Sequence, residues 1–111
     1  MAYNEKIANR VRKALAGRQD VEEKKMFGGL AFMVSGKMCL TIGKDRIMCR
    51  IDPLLHEEAI KKDNAVTVVM RGRPYRGYIR VSEAGIESKK DFDYWVGLAL
   101  SYNKQIRAVG K

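Results

Sequence analysis

The chain has 111 residues, with 22 lysines and arginines against 13 aspartates and glutamates and a formal charge of +9. That length suits one domain spanning residues 1–111, and its apolar fraction of 46% excludes a disordered chain. Charges interrupt the opening MAYNEKIANRVRK where a secretory signal needs an apolar core, and no apolar run nears the roughly 20 residues of a membrane span. The expectation is a cytoplasmic protein without membrane contact.

The first helix is expected from Asn4 to Ala16. Asn4 is placed to cap it, Ile7, Val11, Ala14 and Leu15 recur at helical spacing, and Gly17 ends it. Strands follow over Val21 to Phe27, Leu30 to Val34, Lys37 to Ile42 and Arg46 to Ile51, separated by Gly28-Gly29, Ser35-Gly36 and Lys44-Asp45. Asp52-Pro53 opens a second helix running to Lys61 or Lys62, with Leu54, Leu55, Ala59 and Ile60 as its apolar contacts. Ala65 to Met70 and Tyr75 to Val81 make a second hairpin around a loop from Arg71 to Pro74. A last helix begins at Ser88 and carries Phe92, Trp95, Val96 and Ala99 on its apolar stripe. The order α, three or four β, α, two β, α predicts an α+β fold: a two-layer sandwich with helices on one face of an antiparallel sheet.

Turn length fixes which residues share a face. A two-residue Ser35-Gly36 turn pairs Met33 with Met38 and Ala31 with Leu40, and a two-residue Lys44-Asp45 turn pairs Ile42 with Ile47 and Leu40 with Cys49. Ala31, Met33, Met38, Leu40, Ile42, Ile47, Cys49 and Ile51 are then expected under the helices, with Cys39 on the opposite face from Cys49. If Arg71 to Pro74 form a four-residue loop, Thr67, Val69, Arg76, Tyr78 and Arg80 join the open face. The expected interaction face is therefore Leu30, Phe32, Met48 and Tyr78, rimmed by Arg46, Arg50, Arg76 and Arg80. Such an apolar face calls for cover, by a helix of the chain, by a partner protein or second copy, or by nucleic acid.

Catalytic patterns are missing. His56 is the one histidine and is expected on a solvated helix face beside Glu57 and Glu58. Cys39 and Cys49 are too few for a disulfide scaffold and, with His56, too few for zinc, so free thiols, no metal and no cofactor are expected. Gly29 to Lys37 ends in Gly-Lys but has six residues between its glycines and Met38 where a phosphate loop needs Ser or Thr. Trp95 reads as a core anchor, and no pair of groups is set up for acid–base work.

The run Lys24-Lys25-Met26-Phe27-Gly28-Gly29, then Ala31-Phe32-Met33-Val34 and Gly36-Lys37-Met38, resembles the opening of the TfoX/Sxy N-terminal domain family. Ile47-Met48-Cys49-Arg50, Pro53, Arg73-Pro74, Tyr78, Trp95-Val96 and Leu98-Ala99-Leu100 continue it in order, so the resemblance covers nearly the whole chain. It implies a two-layer module of the YgaC/TfoX-N, secretion-chaperone-like group and no catalytic residues. It also implies a part in transcription regulation and competence, in which two-domain members act with the cyclic-AMP receptor protein. Only Ala108 to Lys111 follow the last helix, so a member without the C-terminal domain is expected. Taken with the residues, the expected function is a non-enzymatic regulatory or adaptor domain acting through contact with a protein partner or as a homodimer. The alternative is a nucleic-acid-binding module that uses the basic, aromatic-bearing sheet face.

Overall fold

A computed structural model describes residues 3–26 and 28–106; Phe27, expected to end the first strand, lies outside the described residues. Helix α1 (Glu5–Ala14) starts where the Asn4 side chain accepts the Ile7 N–H at 3.1 Å. Strands β1 (Val21–Met26), β2 (Gly29–Val34), β3 (Lys37–Ile42) and β4 (Arg46–Arg50) follow as a meander. A 3₁₀ turn at Pro53–Leu55 leads into the short α2 (His56–Ala59); β5 (Ala65–Met70) and β6 (Arg73–Ser82) form the second hairpin; α3 (Lys89–Gln105) closes the order. All six strands join one antiparallel sheet in the order β1-β2-β3-β4-β6-β5. The helices cover one face of it, as expected for the α+β class.

Ile7, Ala8, Val11 and Leu15 bring α1 into the core, while Ala14 is exposed. Ser88 caps α3 by accepting the Asp91 N–H, and Phe92, Trp95, Val96 and Ala99 are buried beneath it. The far end of α3 is fastened to the β2–β3 hairpin. Lys37 Nζ donates to the carbonyls of Asn103 (2.9 Å) and Ile106 (2.6 Å), satisfying last-turn acceptors with a cation. Buried Asn103 returns a bond to the Val34 carbonyl.

Three expectations are corrected. The first concerns β2 and β3. Met33 pairs with Met38 across the Ser35-Gly36 turn, but Phe32 pairs with Leu40, so Cys39 is an extra residue in a bulge. Beyond the bulge the pairing slips by one. Leu30, Phe32 and Val34 face the helices, and Ala31, Met33 and Met38 lie on the open face. Burying Phe32, which is 0% exposed, removes far more apolar surface from water than burying Ala31 in that layer would. Cys39 and Cys49 both enter the core.

The second correction is the β5–β6 loop. It is the two-residue turn Arg71-Gly72, both left-handed (φ +52° and +76°), with Met70 opposite Arg73. Val68 then pairs with Tyr75 but Thr67 with Ile79, so Arg76, Gly77 and Tyr78 arch away from β5, while Tyr78 stays paired with Arg50 of β4. Val68 and Met70, in place of Thr67 and Val69, take the open face. Gly77 sits at φ +93°, where a Cβ would lie 3.1 Å from the Ile51 carbonyl oxygen and 3.2 Å from Pro53 Cγ. No other residue fits this crossing without strain.

The third is α2, a single turn rather than a helix to Lys61. Leu54 and Leu55 are exposed, and His56 is buried instead of solvated. Its Nδ1 accepts the Gly77 N–H and its Nε2 meets the Thr67 hydroxyl, so the ring supports the arch from below.

Candidate functional site: a methionine-lined groove on the open sheet face

The two bulged hairpins curl the open face into a groove of about 520 Å³. Met26, Gly28 and Gly29 at the β1–β2 corner form one wall, and Val68, Met70 and Tyr75 of the second hairpin form the other. Gly29 is required at that corner, because a Cβ there would run into the Ile42 carbonyl. The floor follows from strand register: Met48 stands between Thr41 on β3 and Arg80 on β6. Ala31 and Val68 lie outside the helix-side core yet are buried, which measures how far the sheet has closed on itself.

The lining includes four methionines (Met26, Met38, Met48, Met70) and two tyrosines (Tyr75, Tyr78). Three cations, Lys44, Arg46 and Arg80, stand among them, and no lining residue is acidic. Arg46 has only a loose, exposed ion pair with Asp45 at 3.6 Å, and Arg80 has none among the described residues. Thioether side chains adapt to irregular apolar partners. The groove can therefore hold an apolar group that carries negative charge.

Four of the eight residues expected on the interaction face meet here: Arg46, Met48, Tyr78 and Arg80. Arg50 borders the groove, with its guanidinium 5.7 Å from the Tyr78 ring centre and 5.8 Å from that of Tyr102. Arg76 is diverted by the arch and bonds the Pro53 carbonyl (3.0 Å) and Glu57 (3.1 Å). Leu30 and Phe32 are in the core. The expectation missed Met26, Met38, Met70, Tyr75 and Lys44. Six methionines in 111 residues were the available signal, but turn counting had placed Met38 under the helices.

The two cysteines belong to the helix-side core and are not in the groove's lining. Burial pushes the Cys39 thiol up to about 11, and pushes that of Cys49 further in the same direction. Neither is a thiolate nucleophile at neutral pH. Among the described residues no group of three or more His, Cys, Asp or Glu could hold a metal ion, and no helix is long and apolar enough to cross a membrane.

No curated protein and no solved structure matches the chain. A family model does, over residues 13–102, a span that includes all six strands and every residue of the groove. The chain belongs to the TfoX N-terminal domain family.

Proposed function

We propose that the protein is a non-enzymatic regulatory adaptor, working in transcription control of the kind that includes competence, and that it acts by holding a segment of a partner protein in the groove. One observation carries this reading: four methionines and two tyrosines beside three cations, with no carboxylate in the lining. The segment that fits has apolar residues flanked by aspartate or glutamate, since the apolar part fills the floor and the acids meet Arg46 and Arg80. Stacking of nucleic acid is the weaker reading, because Arg50 already approaches the Tyr78 face that a base would use.

Fluorescence anisotropy with a panel of short peptides tests it, each apolar core flanked once by glutamates and once by lysines. The acidic peptides should bind at least roughly tenfold more tightly. Met48→Asp should abolish that binding and Arg80→Ala should weaken it, with thermal midpoints unchanged. Indifference to flanking charge would sink the reading. Salt-sensitive DNA or RNA binding lost on Arg80→Ala, without peptide binding, would establish the nucleic-acid reading in its place.

A further inference from the structure

The two edges of the sheet are built differently. β1 reads Val-Glu-Glu-Lys-Lys-Met, and its run of charges discourages a foreign strand from pairing. β5 reads Ala-Val-Thr-Val-Val-Met, uncharged and rich in strand-forming residues. Val66, Val69 and Met70 on this edge are 55%, 56% and 43% exposed. An edge of that composition is a template for another strand.

Register shows which backbone groups β5 offers. The Ser82 N–H donates to the Asn64 carbonyl at 3.0 Å, so the hydrogen-bonded rungs to β6 fall on Asn64 and, two residues on, Val66. Beyond the arch Pro74, which has no N–H, stands opposite Val69, so the bonded rungs there are Val68 and Met70. The N–H and C=O groups of Ala65, Thr67 and Val69 therefore point away from the sheet at even spacing.

We propose that β5 pairs antiparallel with β5 of a second copy of this chain, about a twofold axis at Thr67. In that register Ala65 exchanges hydrogen bonds with Val69 of the other copy and Thr67 with its own counterpart, so every outward group of the edge is used. Val66 falls opposite Val68, covering apolar surface. Asp63, just before the strand, comes to the Arg71 turn of the second copy, and symmetry repeats the match. Both residues are exposed, and neither has an ion pair among the described residues.

That doubled charge match favours a second copy over an unrelated strand. It places opposite charges at the seam of a molecule whose +9 otherwise repels its own kind. Such pairing leaves both open faces on one side, so the two grooves, each walled by its own Val68 and Met70, meet across the seam. The proposal goes beyond the groove reading and does not depend on it.

Sedimentation velocity of the full chain, from about 1 to 100 µM, tests it. The wild type should be a dimer. Val69→Pro should be a monomer with an unchanged thermal midpoint, because it removes an outward N–H and no bond to β6. If that variant fails to fold, Val69→Lys puts an exposed charge on the same seam. Asp63→Arg and Arg71→Asp should each raise the dissociation constant several-fold, and the two together should restore it. A wild type monomeric throughout, or a dimer indifferent to Val69→Pro and Val69→Lys, overturns the proposal. A monomer that still holds acidic peptides would leave the groove reading standing, and a dimer that holds none would end only that reading.

Discussion

The Gly77 backbone N–H donates to His56 Nδ1 over 2.8 Å, and this bond decides the tautomer of a buried ring. With Nδ1 accepting, the neutral ring carries its hydrogen on Nε2 and donates it to Thr67 Oγ1 at 2.7 Å. One side chain thus ties α2, the β6 arch and β5 together. His56→Ala leaves the Gly77 N–H buried without a partner and should cost about 1–3 kcal/mol in denaturant unfolding. A loss below about 0.5 kcal/mol is what an ordinary surface position gives, and would show the ring does not support the arch.

Trp95 is fully buried under α3, with its ring edge-on to Tyr94 at 5.0 Å, and its Nε1 finds no hydrogen-bond partner among the described residues. Trp95→Ala should destabilise by about 3–5 kcal/mol. Trp95→Phe should cost clearly less than its lost volume alone implies, because it also removes an unpaired donor. Equal losses in the two variants would count against this.

The two thiols should be silent in the native protein. With Cys39 raised to about 11 and Cys49 raised by deeper burial, a thiol reagent at pH 8 should leave both unmodified, and both should react once guanidinium unfolds the chain. The folded state holds these protons to higher pH than the unfolded chain does, so stability is full below the ordinary thiol range near 9 and falls as pH rises towards 11. Cys39→Ala should flatten that fall in alkaline melting curves. Rapid native labelling would contradict the burial.

Asp20 behaves in the opposite sense. Arg18 donates to its carboxylate at 2.9 and 3.0 Å and the Ser35 hydroxyl at 2.6 Å, holding it down at about 2. Its contribution is present above the ordinary carboxylate range near 4 and is lost as pH falls towards 2. Asp20→Asn should therefore lower stability slightly at neutral pH and leave it flatter between pH 4 and 2. A variant whose acid curve superimposes on the wild type would rule this out.

The element order was legible because its signals are local. Asn4, Ser35-Gly36, Asp52-Pro53 and Ser88 mark caps and turns where they stand. Strand β4 was also placed correctly, since nothing interrupts its ladder back to the Lys44-Asp45 turn, and this is why Arg46 and Met48 were found. The expectation for Tyr78 and Arg80 rests instead on a four-residue loop, which the structure replaces with the Arg71-Gly72 turn and the arch. The bulge at Cys39 was not legible, because counting residues from a turn cannot see one that drops out of the ladder. What decides it is the size of Phe32 against Ala31, a comparison between layers. His56 was missed for a similar reason: its partners, Gly77 and Thr67, come from two strands, and the first is available only once the chain arches.

The Cys39 bulge separates the groove's shape from its chemistry. Without residue 39 the hairpin would run Val34–Lys37, Met33–Met38, Phe32–Leu40 and Ala31–Thr41, which are the pairs already present. Every side chain would keep its face. What the extra residue adds is bend and twist, in a sheet whose open face Met26 and Met70 both line. The curvature under the groove is thus set in part by the length of one strand, through a residue that is not in the groove's lining.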